Sequence, residues 1–404
     1  MAELSRRRAR VVLVMAATLL AAGICEVALR NIGGVFDDTF MQPDFHRGWV
    51  LRPGFAGWVN SENILWVHIN ADGMRDHDHP IAAPPRTVRV AVLGDSFMQG
   101  MNVELEKTFH SFVEQRLEQC LAATGWRVEV LNFGVSGYGT AQEWLTYTHH
   151  AVKYRPDVVI LAVYTENDLT DNYRPLNRDE FVSRTPYFTL DGDTLVLDAR
   201  FRAALAHEMA RPWWRRARVW LQERVRVAQL VYDGWGAIRP WFIAEPEATL
   251  EVEFDEEDLY RPPQRAELRE AWRVTEALIL ALARDVERNG SEPWVVTLAN
   301  SPQVEPDAAA RRQFAEGLGA GSLFYPDRRI ADLGRAHGLR VISLAEPMAE
   351  YAVRHQVNLF GGYLRAVPFG SGHWNEHGNR VGANLVAERL CAESGVLARA
   401  ARRQ

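Results

Sequence analysis

Four residues in this chain have types and settings suited to acyl transfer: Ser96, Gly137, Asn167 and His373. That chemistry needs a nucleophile, a base to take its proton, and donors for the oxyanion of a tetrahedral intermediate. Ser96 closes the run Val90-Ala91-Val92-Leu93-Gly94-Asp95-Ser96, where its hydroxyl can attack. His373 can accept the proton. The backbone N–H groups of Ser96 and Gly137 and the amide of Asn167 can form the oxyanion hole. Glycine projects no side chain into such a site, and asparagine donates without carrying a charge.

The surrounding elements must bring these four together. Val90–Leu93 reads as a buried parallel strand, because the apolar run is bounded by turn residues and is too short for a helix. A serine just past the carboxyl end of such a strand lies where open α/β sheets hold their ligands. Glu104–Ala123 has helical apolar spacing, and Arg127–Leu131 reads as a second strand opening into Asn132–Thr140, which holds Gly137. A helix over Ala141–Tyr154 precedes the strand Asp157–Val163, which ends in Tyr164-Thr165-Glu166-Asn167-Asp168. After an interruption, helix and strand alternate again: Gln264–Asn289, Trp294–Leu298, Pro326–His337 and Leu339–Leu344. The segment Gly370–Gly378, holding His373, precedes a terminal helix over Arg380–Ala392. Strands alternating with helices predict an α/β fold with helices on both faces of a parallel sheet.

With these blocks in view the chain resembles the SGNH hydrolases, the GDSL-type lipases and esterases, over residues 87–168 and 264–392. Gly94-Asp95-Ser96-Phe97 is similar to the first family block, with Phe in place of Leu. Asn132–Thr140 is similar to the second, matching at Gly137. Glu166-Asn167-Asp168 is similar to the third, although Thr165 replaces the usual Gly. His373-Trp374-Asn375-Glu376-His377-Gly378 resembles the fourth. The resemblance implies a three-layer α/β/α sandwich with a flavodoxin-like sheet. It also implies a serine esterase or O-acyltransferase that needs no cofactor or metal, in which Ser96 carries the acyl group and His373 is the base.

The chain departs from that pattern where the family places an Asp two or three residues before the His, because Ser371 and Gly370 stand there. The expectation is a Ser–His dyad, with a backbone carbonyl of the Phe369–Ser371 loop or another acid receiving the second imidazole nitrogen. Two rival readings stand beside it. His373, Glu376 and His377 also spell an inverted zinc-hydrolase motif, but the flanking Gly370, Gly372 and Gly378 argue against the continuous helix it needs. A membrane-tethered binding domain that has lost turnover is the other.

The chain has 404 residues, 47% hydrophobic and 24% charged, with a formal net charge of −6. No long basic stripe points to nucleic acid. Arg6, Arg7, Arg8 and Arg10 precede Val11–Cys25, which is apolar apart from Thr18. That pattern predicts a membrane segment with its arginines on the cytoplasmic side. An uncleaved anchor is favoured over cleavage near Ala21-Ala22-Gly23, so the catalytic domain is expected outside the cytoplasm, in the periplasm of a Gram-negative cell. The expected substrate is an acyl ester, with an acylated polysaccharide or lipid of the cell envelope as a fitting source.

The expected organisation is an anchor or signal over 1–35, an irregular prelude over 36–86, a catalytic domain over 87–168 and 264–395, and an insertion over 169–263 that could act as a lid. Within the insertion, Thr185–Leu197 reads as a hairpin around Asp191-Gly192-Asp193. Arg200–Trp241 is rich in Arg and Trp and is expected to form a helical layer whose aromatics pack on the main domain. The alternative there is a lid or acceptor-binding surface near the membrane. The acidic stretch 245–257 reads as a solvated loop. Cys120 and Cys391 are expected as buried packing residues, not as a bridge.

Overall fold

The computed structural model describes residues 2–32, 40–177, 182–238, 254–363, 367–368 and 370–402. Trp241, Phe369 and most of the acidic stretch 245–257 lie outside the described residues.

The chain begins with the helix α1 (Ala2–Arg30) and continues into two antiparallel hairpins, β1 (Met41–Asp44) with β2 (Gly48–Leu51) and β3 (Ala56–Asn60) with β4 (Ile64–His68). Next come β5 (Thr87–Leu93), α2 (Ser96–Gln99), α3 (Phe109–Leu121), β6 (Arg127–Asn132), α4 (Thr140–His149), β7 (Val158–Val163) and α5 (Thr165–Asp171). An excursion follows, with the hairpin β8 (Tyr187–Asp191) and β9 (Thr194–Asp198), then helices α6 (Arg200–Met209), α7 (Trp213–Arg224) and α8 (Arg226–Ile238). The chain returns through α9 (Glu256–Tyr260), α10 (Ala266–Arg288), β10 (Glu292–Thr297), α11 (Ala308–Gly317) and α12 (Tyr325–His337). It closes with β11 (Arg340–Ser343), α13 (Ala345–His355), α14 (Glu376–Glu393) and α15 (Gly395–Arg402).

The central sheet has five parallel strands in the order β11-β10-β7-β5-β6. Counted along the chain, that is the flavodoxin-like order, with its switch point between β5 and β7. The two-residue period of β5 assigns its side chains to opposite faces. Val88, Val90 and Val92 pack into one core with Phe109 and Val113 of α3, Met348 of α13 and Val386 of α14. Ala91 and Leu93 pack into the other with Tyr147 of α4, Trp272 and Ile279 of α10 and Ile330 of α12. Both faces are therefore covered, and β5 is buried along its whole length.

Residues 40–69, expected as irregular structure with short strands, hold the two hairpins. Trp49, Leu51, Phe55, Val59, Val67 and Ile69 form a separate small core with Met101, Val135 and Tyr138. The two hairpins are thereby clamped onto the loops at the carboxyl end of the sheet.

Two expectations are overturned. Cys120 on α3 and Cys391 on α14 form a disulfide across 271 residues of sequence. Cys120 is exposed and Cys391 half-buried, so neither is a buried packing residue, and the side-by-side packing of α3 and α14 brings the two sulfurs together. The tryptophans of α7 and α8 do not pack on the main domain either, whereas Phe201 of α6 is buried and Phe188 of β8 packs with Ala141 and Leu278. Trp213, Trp214, Trp220 and Trp235 are 78, 52, 54 and 49% exposed. Helices α7 and α8 pack on each other and, through α8, on the end of α1.

Candidate active site

Ser96 is presented by the turn between β5 and α2. The buried Asp95 accepts the Phe97 N–H at 2.9 Å as the helix cap, and Gly100, at φ 67°, closes α2 after four residues. Gly94 has no space for a side chain, because a Cβ there would run into Met98. The serine is thus held at the first position of a short helix, at the carboxyl end of a central strand.

His373 lies in the loop before α14. Asn375 caps that helix by accepting the Gly378 N–H at 3.1 Å, so His373 stands outside the helix and His377 in its first turn. The Phe97 ring lies against the imidazole, with centroids 4.7 Å apart, and also touches Tyr164 and Trp374. His373 Nε2 is 2.7 Å from Ser96 Oγ.

The second imidazole nitrogen corrects the expectation of a carbonyl acceptor in the 369–371 loop. His373 Nδ1 lies 2.7 Å from Glu62 Oε1, and the His373 backbone N–H also donates to both Glu62 oxygens, at 3.1 and 3.0 Å. Glu62 sits in the turn of the β3–β4 hairpin, over 300 residues away in sequence. The hairpin tip is tied to the same region. Asn63 Nδ2 donates to the Asn102 carbonyl at 3.1 Å, and Asn102 Nδ2 donates to the Trp374 carbonyl at 2.8 Å. Sequence reasoning missed Glu62. One signal was present, since Glu62 is the only charged residue between Phe55 and Val67, placed between two apolar runs.

The site's electrostatics follow from these contacts. Burial works against the His373 imidazolium, but the hydrogen bond and charge of Glu62 outweigh it, so the His373 pKa is raised above its ordinary value. Burial likewise raises the Glu62 pKa, and His373 overcomes that, leaving the carboxyl below its usual range. Beneath the serine, burial pushes Asp95 up to about 6 and Asp168 up to about 8.

Gly137 and Asn167 come from the next two strand ends. Gly137 sits at φ 75°, in the left-handed region that favours glycine. Its loop is held by Gln99 Oε1, which accepts the Ser136 N–H at 2.7 Å, and by Trp49 Nε1, which donates to the Ser136 carbonyl at 3.1 Å. Asn167, in the first turn of α5, points its amide toward the Asp95 carboxyl at 3.5 Å. Ser96, Gly137 and Asn167 are each half-buried, and no hydrogen bond described here uses the N–H of Ser96 or Gly137. Two amide donors are thus left for a ligand oxygen.

The metal reading finds no geometric support at its own residues. His373 has Ser96 and Glu62 on its two nitrogens, and it shares no helix with His377.

The GDSL-like lipase/acylhydrolase family model matches residues 92–246, a span that takes in Ser96, Gly137 and Asn167. No curated protein matches the chain. Among solved structures, the acetyl xylan esterase AlAXEase is 13% identical, with 75% of this chain and all of that one covered and a TM-score of 0.37. A catalytic mutant of Axe2, an acetylxylan esterase from Geobacillus stearothermophilus, is 10% identical over 75% of this chain and 94% of that one, with a TM-score of 0.37. A two-domain esterase active on acetylated mannans is 12% identical over 76% of this chain and 50% of that one, with a TM-score of 0.34. Residues 92–246 thus carry a GDSL-like lipase/acylhydrolase (SGNH) domain, the domain of an ester-hydrolysing enzyme.

Proposed function

We propose that Ser96 is the nucleophile of this esterase, His373 its general base and Glu62 the positioning residue of the base. The observation that carries the reading is the continuous relay from Ser96 Oγ to His373 Nε2 and from His373 Nδ1 to Glu62, at 2.7 Å in each step. As Oγ bonds to the acyl carbon, its proton passes to Nε2. The imidazolium then protonates the leaving alkoxide as the ester C–O bond breaks, leaving an acyl group on Ser96 and a free alcohol. Water, deprotonated by the same imidazole, attacks the acyl-enzyme and releases the acid and Ser96. Glu62 stays ionised throughout. It fixes the tautomer with the proton on Nδ1 and stabilises the imidazolium. The oxyanion is received by the N–H groups of Ser96 and Gly137 and the Asn167 amide.

The enzyme works outside the cytoplasm, held by α1. Residues 6–30 form a helix long and apolar enough to cross a membrane. The Cys120–Cys391 disulfide supports an oxidising compartment. An acyl ester of an envelope polysaccharide or lipid suits that setting. If a sugar hydroxyl replaces water in the second step, the same residues carry out O-acyl transfer.

The test is fluorophosphonate labelling of the full chain and its Ser96→Ala variant, followed by a panel of acyl esters with and without sugar acceptors. Labelling is expected only with Ser96 present, and undiminished labelling of Ser96→Ala overturns the assignment. Free acid as the product identifies hydrolysis, and acyl groups recovered on the acceptor identify transfer.

A further inference from the structure

We infer that α7 and α8 form a platform that lies on an anionic phospholipid surface and fixes the catalytic domain beside the membrane; this rests on the anchor reading of α1. The observation is how these helices join α1. Glu26, the one acid in the apolar half of α1, accepts the Val227 N–H at 3.0 Å and so satisfies the exposed N-terminal end of α8. Arg30, in the last turn of α1, bonds Glu26 at 2.7 Å and donates to the Arg224 carbonyl at the end of α7. The α7–α8 junction is therefore fastened to the last turn of α1. At 1.5 Å per residue, Arg6–Arg30 extends ~37 Å against a hydrocarbon core of ~30 Å. The last turn then emerges at the lipid–water interface, and the fastened helices lie at that level.

Their composition suits that level. Trp213, Trp214, Trp220, Tyr232 and Trp235 are exposed, as are Leu230, Val231 and Ile238 along α8. Interfacial aromatics with apolar neighbours are the residues that bury at the headgroup boundary. Between Arg211 and Arg226 the sequence holds six arginines and one glutamate, in a chain whose net charge is −6. The Arg215 guanidinium lies over the Trp214 ring at 5.2 Å, and that of Arg218 over Tyr232 at 5.9 Å. Cation and ring thus share one surface, as an anionic headgroup layer requires. A second copy of this chain, itself acidic overall, would complement the arginines without explaining why the patch sits where α1 ends.

The test uses a convenient feature: α1 contains none of the 13 tryptophans. Tryptophan quenching by lipid bromines therefore reports only on the rest of the chain. The full chain is reconstituted into nanodiscs containing phosphatidylglycerol, with lipids brominated near the top of the acyl chains. The expected result is co-elution with the discs and a loss of emission on the order of four thirteenths. Trp213→Phe, Trp214→Phe, Trp220→Phe and Trp235→Phe combined should abolish that loss while leaving turnover of a soluble ester unchanged. Arg215→Gln with Arg218→Gln should reduce quenching in the anionic discs. A chain that co-elutes yet is unquenched, or a fourfold variant quenched as strongly as the parent, overturns the platform and leaves the anchor standing. Dimers seated on this face, with no quenching, do the same. A chain that fails to co-elute overturns the anchor reading and the platform together.

Discussion

The Cα of Gly372 faces the Glu62 carboxylate so closely that a Cβ at this position would run into it. Gly372 also adopts φ 71°, a conformation that favours glycine, whereas Gly370, at φ 83°, faces open space. The two substitutions therefore separate strain from contact. Gly372→Ala should displace Glu62 and lower kcat by about 10²-fold, the scale of an ångström-sized misplacement. Gly370→Ala carries backbone strain alone and should cost much less. Equal losses in the two variants would remove the case for a Glu62 contact that matters to turnover.

Glu62→Gln keeps the shape of the relay and removes its charge. In the serine-protease template, the corresponding change at the orienting acid costs ~10⁴ in kcat. A loss approaching that, with most of it restored by Glu62→Asp, is expected in steady-state assays. Full activity in Glu62→Gln would return the site to a dyad.

The same pair sets the pH profile. The base must be neutral to accept the Ser96 proton, so kcat/KM should rise with pH through the His373 pKa, which Glu62 raises above 6.5. Neutralising Glu62 removes the raising contribution, so the acid limb should move to lower pH even as the plateau falls. An acid limb that stays fixed in Glu62→Gln would contradict the coupling.

Asn167 is expected to act on the transition state. Losing one oxyanion donor costs about 2.7–4 kcal/mol in the protease example. Asn167→Ala should lower kcat accordingly with little change in KM, and a change confined to KM would argue for a binding role instead.

The disulfide gives a prediction about stability. Cys120→Ser should lower unfolding stability by about 2–4 kcal/mol, because α3 and α14 are no longer cross-linked. Unfolded without reductant, the parent chain should titrate one free thiol, Cys25. Three thiols would remove the bridge.

The sequence by itself determined the sheet and where three of the proposed site residues fall along it. Buried parallel strands are continuous apolar runs, and a loop residue at a strand's end is positioned by that strand alone. Ser96, Gly137 and Asn167 could therefore be placed from local pattern, each within a few residues of a strand's carboxyl end. His373 needed only the last helix beside it. Glu62 was different. Its role depends on a small hairpin core, Trp49 to Ile69, docking on the loops around Val135 and Tyr138, and no local period encodes that docking. The disulfide was hidden for the same reason, since its cysteines lie 271 residues apart and meet only because α3 and α14 lie side by side. The tryptophans of α7 and α8 show the limit most plainly. Apolar spacing on a helix says that one face avoids water, and only the tertiary structure decides whether protein covers it.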